Sequence, residues 1–116
     1  MREIKFRARY MGEWAYFSLN ELRRHSTNVP TWVYEMGESV MFNLYTGLTD
    51  TNSKEIFEGD LATAVFKDGS TYDSVAEVSF SEGVYWIGMG MLRDAKDIEI
   101  IGNVYENSEL LKGGSV

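Results

Sequence analysis

The chain is organised around Tyr45 to Leu61, which reads YTGLTDTNSKEIFEGDL. An apolar run leads into this stretch and an alternating run leaves it. Between them lie turn residues at Gly47, at 50–53 and at Gly59. Aspartate and asparagine favour turns because their side chains bond to nearby backbone and tolerate left-handed geometry. We therefore interpret residues 45–61 as a turn-rich connector between strands.

Short alternating segments lie on both sides of this connector. Near the start, Ile4, Phe6, Ala8 and Tyr10 alternate with charged residues, which predicts a strand with one buried face. A turn at 11–13 should lead into a second strand. The remaining predicted strands are 14–19, 31–36, 40–45, 61–66, 75–80, 84–87 and 98–101. Gly102 and Asn103 should bend the last of these before residues 104–105. Many short strands separated by turns are typical of a sandwich or small barrel.

These patterns predict a mainly β fold forming one compact domain over residues 1–116, as a small barrel or sandwich with SH3-like features. The expected parts are N-terminal strands (1–44), the connector (45–61), a strand meander (61–105) and a short C-terminal helix (106–112). A further helical turn, capped by Asn20, is expected in the polar segment 20–28.

Composition bounds the class of protein. The 116 residues are 44% hydrophobic, which favours a folded chain with its own core. The absence of cysteine excludes disulfides, thiolate metal sites and cysteine nucleophiles. No apolar run approaches the roughly 20 residues of a membrane span. We expect a cytoplasmic protein without a membrane segment.

Charge is distributed unevenly along the chain. The net charge is −7, yet residues 1–24 hold six basic and three acidic groups, giving +3, and the remainder carries −10. One interpretation is that the basic first strand pairs with an acidic neighbour inside the fold. The alternative is a contact with an acidic patch of another copy, or with phosphate.

A candidate interaction surface combines the N-terminal arginines with two tryptophans: Arg7, Arg9, Arg23, Arg24, Trp14 and Trp32. Aromatic and arginine residues are favoured anchors at protein interfaces. Strands with rings on both faces also predict a homo-oligomer.

Catalytic and metal-binding patterns are weak. Asp50 and Asn52 match the first and third ligand positions of an EF-hand calcium loop. However, Glu55 stands where the sharp turn requires glycine, and Leu61 stands where a glutamate should bind the ion. A small metal-dependent hydrolase would have to use the remaining candidate acids and base, which are Asp50, Glu58, Asp60 and His25. With one histidine and acids placed in turns, we expect no enzyme, no metal and no cofactor.

Three blocks together resemble the YopX family of phage and prophage proteins. They are Ile4-Lys5-Phe6-Arg7-Ala8, then Tyr45-Thr46-Gly47-Leu48 followed by Glu58-Gly59-Asp60, and Ile101-Gly102-Asn103-Val104-Tyr105-Glu106-Asn107. Departures include Arg9, where the family often has tryptophan, and Ser53, where glycine is usual. The resemblance implies a mostly β fold and a phage or prophage origin, and it brings no catalytic residues.

The sequence therefore favours a non-catalytic β interaction module that binds a host or phage protein, or itself. The alternatives are a single-stranded nucleic-acid-binding module and the small metal-dependent hydrolase. Nucleic acid is the less favoured ligand because the acidic remainder of the chain would repel phosphate.

Overall fold

The structure is a computed structural model that describes residues 3–70 and 75–113. Its strands are β1 (Lys5–Tyr10), β2 (Glu13–Ser18), β3 (Met41–Thr49), β4 (Glu55–Phe57), β5 (Asp60–Phe66), β6 (Ala76–Ser81), β7 (Val84–Ile87), β8 (Gly90–Met91) and β9 (Ala95–Asn103). Its helices are α1 (Leu19–Arg23), α2 (Thr31–Glu35) and α3 (Glu109–Gly113), with 3₁₀ turns at Gly37–Ser39 and Leu92–Asp94. The prediction of a mainly β fold is confirmed.

The strands form two sheets, and every described pairing is antiparallel. One sheet has the order β2-β1-β3-β4 and the other has the order β8-β7-β6-β5-β9. Across the described residues neither order returns to its first strand, so the small closed barrel is wrong. Two antiparallel sheets are the elements that the sandwich alternative requires.

The chain divides into two compact units, Met1–Gly47 and Leu48–Val116, and β3 passes from the first to the second at Gly47. Each unit has its own hydrophobic core. The first core contains Ala8, Ala15, Phe17, Val29, Val33 and Val40. The second contains Ile56, Ala62, Ala64, Phe66, Ala76, Val78, Ile87, Leu92 and Ile98. A single domain over the whole chain stays a prediction.

Helix α2 replaces a predicted strand. The alternation of Trp32, Tyr34 and Met36 predicted a strand over 31–36, and this was wrong. Val33 is buried, at 7% exposure, and the adjacent Trp32 packs against the same core. Neighbouring residues can share one core on a helix, whereas on a strand they point to opposite faces. Since five residues satisfy both periods almost equally well, burial decides between them.

Helix α1 begins two residues earlier than expected. Its N-cap is Ser18, whose Oγ accepts a hydrogen bond from the Glu21 N–H at 3.1 Å, while Glu21 Oε1 accepts one from the Ser18 N–H at 2.9 Å. This reciprocal capping box satisfies two donors at the helix start. The predicted cap at Asn20 is therefore wrong, because Asn20 lies inside the helix.

The connector at 45–61 is more regular than predicted. β3 continues to Thr49, a turn follows, and β4 occupies Glu55–Phe57. A second turn at Gly59 leads into β5, whose Leu61 is completely buried. The stretch therefore contains the end of β3, the short strand β4 and the start of β5, joined by two turns.

The turn after β3 covers the outer edge of β9. The Thr51 N–H donates to the Ile98 carbonyl at 2.8 Å, and the Ile100 N–H donates to Asp50 Oδ2 at 3.1 Å. A turn therefore occupies the edge positions where a closing barrel would place another strand.

The last element of the described residues is a short helix. α3 spans Glu109–Gly113 rather than 106–112. Before it, Asn103 Oδ1 accepts from the N–H groups of Tyr105 and Glu106, both at 3.0 Å, and Asn107 Oδ1 accepts from the Asn103 N–H at 3.2 Å. Two asparagines thus shape the bend between β9 and α3.

Candidate interaction surface

One face of the sheet in the first unit gathers charged and aromatic side chains. Strand alternation places every second residue of β1 on this face, and the register aligns them with residues of β2 and β3. In that register, Arg9 lies between Trp14 and Met41. We call this set the cationic aromatic face: Lys5, Arg7, Arg9, Trp14, Tyr16, Met41 and Asn43.

Trp14 lies at the centre of this face. The guanidinium carbons of Arg7 and Arg9 are 4.9 Å and 4.8 Å from the centroid of its ring. Tyr16 stacks beside it, with a centroid separation of 6.4 Å and an interplanar angle of 25°. Guanidinium groups within about 6 Å of an indole are attracted by its quadrupole. The face therefore concentrates positive charge around an aromatic surface.

Arg7 forms the floor of the face. Its side chain is buried, and Nε donates to Asn43 Oδ1 at 3.0 Å. Asn43 is also buried, and its Nδ2 donates to the Phe42 carbonyl at 3.1 Å. These contacts fix the guanidinium of Arg7 under the Trp14 ring. Arg7 therefore supports the ring, and the exposed side chains around it are the ones that a partner can reach.

The rim is apolar and exposed. Tyr16 is 57% exposed and Met41 is 49% exposed. At the neighbouring hairpin tip, Met11 is 83% exposed. Sequence reasoning did not select Tyr16, Met41 or Met11. The available signal was a methionine before Gly12, in a two-residue turn where asparagine or aspartate is usual.

Trp32 belongs to another part of the first unit. It lies on α2, and its ring is 5.8 Å from that of Tyr10, with an interplanar angle of 30°. Both rings pack against the first core. Because Tyr10 and Arg9 are adjacent in β1, their side chains point to opposite faces of the sheet. The structure therefore separates Trp32 from Trp14.

Arg23 and Arg24 are exposed at the end of α1. The helix ends in a Schellman motif, in which the Ser26 N–H donates to the Glu21 carbonyl at 3.0 Å and the His25 N–H to the Leu22 carbonyl at 3.4 Å. His25 therefore takes the left-handed position usually held by glycine, with φ of 53°.

The ring of His25 stacks on Tyr34 of α2. Their centroids are 4.1 Å apart with an interplanar angle of 12°, and the Tyr34 hydroxyl donates to the Leu22 carbonyl at 2.6 Å. The sequence-predicted candidate base thus takes part in a contact between two helices.

The candidate acids of the connector bond to backbone. Asp50 Oδ1 accepts from the N–H groups of Asn52 and Lys54 at 2.8 and 2.9 Å, while Oδ2 accepts from Ile100. Burial alone would raise the pKa of Asp50, but the three backbone donors and the Lys54 charge outweigh it, and the pKa is lowered. A carboxylate held in this way stabilises the turn.

Asp60 has a similar role at the second turn. It is 3% exposed, and its Oδ2 accepts from the Phe57 N–H at 2.8 Å. Glu58, the remaining candidate acid, is half-buried. Across residues 3–70 and 75–113, no three histidines or acids lie close enough to hold a metal ion.

The division of charge follows the division of the chain. The first unit holds six basic and five acidic residues, for a net charge of +1, and the second holds five basic and thirteen acidic residues, for −8. The two units therefore differ strongly in their attraction for charged partners.

The fold and sequence match known proteins as follows. The solved structure of protein EF1440 from Enterococcus faecalis is similar with a TM-score of 0.50 and 22% identity, covering 91% of this chain and 74% of that chain. That similarity concerns the fold alone. No curated protein matches the chain, and the part described here has no helix long and apolar enough to cross a membrane. The profile of the family described as YopX protein matches residues 5–112. The chain therefore belongs to the YopX family.

Proposed function

We propose that the protein is a non-catalytic interaction module that binds another protein, or a second copy of itself, through the cationic aromatic face. The observation that carries this proposal is the placement of two guanidinium groups within 4.9 Å of the Trp14 ring centroid, next to the exposed ring of Tyr16. Tryptophan, tyrosine, arginine and methionine are the residue types enriched at protein interfaces.

The chemistry of the face favours an acidic partner. Three of its seven residues are cations and none is an acid. Glu3, next to the face, lies 3.8 Å from Lys5, which leaves a net charge of +2 from Lys5, Arg7, Arg9 and Glu3. Arg7 is already desolvated and held by Asn43, so it needs no rearrangement when a partner covers it. The exposed side chains of Tyr16 and Met41 add apolar area at the rim. An acidic surface with an apolar centre would complement this arrangement.

The test compares three baits in bacterial extracts. The first is the wild-type chain, the second carries Tyr16→Ser and Met41→Ser, and the control carries Phe80→Ser. Phe80 is a suitable control because it is 54% exposed and lies on β6 of the second unit. All three should unfold cooperatively at similar temperatures, since the substituted side chains are exposed.

We expect the wild-type chain and the control to retain the same proteins, and the face variant to lose them. Removing an interface anchor typically weakens binding by about tenfold or more. Retention should also fall as salt rises, because charge attraction contributes. Equal retention by all three baits would contradict the proposal.

A nucleic-acid ligand is the second candidate, favoured by the juxtaposition of cations and stacked rings on one face. Fluorescence anisotropy with a labelled single-stranded oligonucleotide tests it directly. Affinity at low salt that is lost in the face variant would support this candidate over the acidic protein. No affinity at low salt removes it.

Membership of the YopX family supports a proposal about the source of the chain. We infer that it is encoded by a phage or prophage, and its action in the cytoplasm of a bacterial host stays a prediction. The homo-oligomer predicted from the sequence remains a proposal, and the division of charge between the two units supports it.

A further inference from the structure

The tip of the β1–β2 hairpin carries an exposed methionine in a left-handed backbone conformation. Tyr10 pairs with Glu13, so Met11 and Gly12 form a two-residue turn, and both have positive φ, at 48° and 83°. Such turns strongly favour asparagine, aspartate or glycine. A methionine here adopts an unfavourable backbone conformation, and its side chain is 83% exposed.

Two unfavourable features at one residue point to a role outside the unit. Strained backbone persists where the surrounding structure or the function requires it. Methionine is flexible and polarizable and adapts to irregular apolar pockets, which is why it is common at binding surfaces. Met11 also lies at the end of the cationic aromatic face, two residues after Arg9. These observations make the hairpin tip a candidate anchor for an apolar cavity.

The second unit contains a cleft of the matching kind. Its volume is about 500 Å³, and its apolar lining comes from Phe66, Met89 and Met91. Gly90 lets the Phe66 ring approach closely, because a Cβ at Gly90 would lie 2.5 Å from Phe66 Cζ. A cleft of this size can accommodate a methionine side chain.

Carboxylates border this cleft. Asp68 and Asp94 belong to its lining. The Oγ and N–H of Ser70 donate to Asp68 at 2.6 and 2.9 Å, and they lower the pKa of Asp68, so the group stays ionised. The Lys67 ammonium also lies at the cleft but donates to the Arg93 carbonyl at 3.0 Å. The rim therefore presents negative charge.

We infer that Met11 of one copy inserts into the cleft formed by Phe66, Met89 and Met91 of a second copy. The opposite charges of the two units favour this approach of a first unit to a second unit. The inference names a second copy as a partner of the surface proposed above, and it rests on that proposed function.

This contact joins two different surfaces, so each chain carries one tip and one cleft. Such heterologous contacts form a closed ring when the rotation between successive copies completes a circle, and an open chain of copies when it does not. The average mass in solution should therefore rise with concentration, and it should fall when salt screens the charges.

The test uses sedimentation velocity on the full chain at low and high salt. The tip variant is Met11→Asn, which has the preferred residue for this turn, and the cleft variant is Met89→Lys, which replaces an exposed wall residue with a charge that repels the first unit. The control is Met36→Asn, another exposed methionine of the first unit. Thermal unfolding of each variant accompanies the measurement.

We expect Met11→Asn to weaken self-association at least about tenfold while raising the unfolding temperature by about 3 °C. If Met11 only supported the fold of its own unit, the substitution would change self-association and the unfolding temperature in the same direction. Met36→Asn should associate like the wild type. An equal mixture of the tip and cleft variants should form a species of two copies, because only one intact tip and one intact cleft can meet.

The inference is overturned if the wild-type chain stays monomeric at low salt, or if Met11→Asn associates as strongly as the wild type. A monomeric wild-type chain that still retains proteins through Tyr16 and Met41 would overturn this inference and leave the proposed function standing. If the wild-type chain stays monomeric and also retains no protein through Tyr16 and Met41, both the inference and the proposed function are overturned.

Discussion

Two tight turns of this protein use their side chains in opposite ways. In the turn after β3, the carboxylate of Asp50 accepts three backbone hydrogen bonds and ties the turn to β9. In the turn after β1, Met11 leaves its side chain 83% exposed. Both turns contain a left-handed residue other than glycine, Ser53 in the first and Met11 in the second. The comparison shows that a strained turn can serve its own fold or leave a side chain available to a partner.

The largest effect is expected from removing the Asp50 carboxylate. Asp50→Ala leaves the N–H groups of Asn52, Lys54 and Ile100 without their acceptor, and hydrogen bonds to a charged group contribute about 1.5–3 kcal/mol each. Asn52 and Lys54 are exposed, so water can replace part of the lost bonding and the total is smaller than the sum of three such bonds. We expect the free energy of unfolding to fall by about 3 kcal/mol in urea titrations.

Asp50→Asn is the matched control because it keeps one acceptor oxygen in place. Its free energy of unfolding should lie between that of the wild type and that of Asp50→Ala. A loss below about 1 kcal/mol for Asp50→Ala would contradict the structural role of this turn.

Acid should weaken the same turn. Although burial alone raises the pKa of Asp50, the backbone donors Ile100, Lys54 and Asn52 lower it below its ordinary value of 3.8. A carboxylate whose pKa is depressed by folding stabilises the protein above the unfolded pKa, and this contribution is lost as pH falls through the folded pKa.

Unfolding titrations of the wild type and Asp50→Asn between neutral and strongly acidic pH test this. Below pH 3.8 the wild type should lose stability more steeply than Asp50→Asn. Parallel pH profiles would show that another group governs acid stability.

Relieving backbone strain should have a smaller, stabilising effect in both turns. Ser53 has φ of 67° and Met11 has φ of 48°. Ser53→Gly and Met11→Asn should each stabilise the chain by about 0.5–1 kcal/mol in thermal or urea unfolding. The two variants should differ in sedimentation, where only Met11→Asn weakens self-association. Equal behaviour in sedimentation would remove the contrast between the turns.

The smallest effect is expected from His25→Gly, because His25 has both a left-handed backbone and a side chain that contacts its own fold. His25→Gly relieves a left-handed conformation but removes the ring that stacks on Tyr34. These changes oppose each other, so the free energy of unfolding should move by less than about 0.5 kcal/mol. His25→Ala loses the ring and keeps the strain, and it should destabilise by about 1 kcal/mol in the same urea assay.

Much of the fold could be predicted because strands follow from alternation. Phe6, Ala8 and Tyr10 face one side of β1 as expected, and the turns at Gly12 and Gly69 lie between strands. The helix α2 could not be predicted, because its five residues fit a strand nearly as well as a helix. β4 was missed because Glu55–Phe57 is too short for any period to register.

The candidate site was predicted only in part. Arg7, Arg9 and Trp14 do lie together, since residues that alternate along β1 meet those of β2. The burial of Arg7 depends on Asn43, which is 36 residues away in the chain and comes alongside only through the pairing of β1 with β3. Register over such distances is not encoded in local composition, and so the sequence grouped Trp32 with Trp14.

The hydrogen bonds that join Asp50 and Thr51 to β9 also affect how the chain folds during its synthesis. β9 spans nine residues, and a strand of that length with an open edge is a template for pairing with other chains. Residues 50 and 51 leave the ribosome more than 40 residues before Ala95, the first residue of β9. The turn that bonds to the edge of β9 is therefore synthesised before β9 itself. Because this turn is already present when β9 emerges, the edge of β9 is open to other chains for a shorter time.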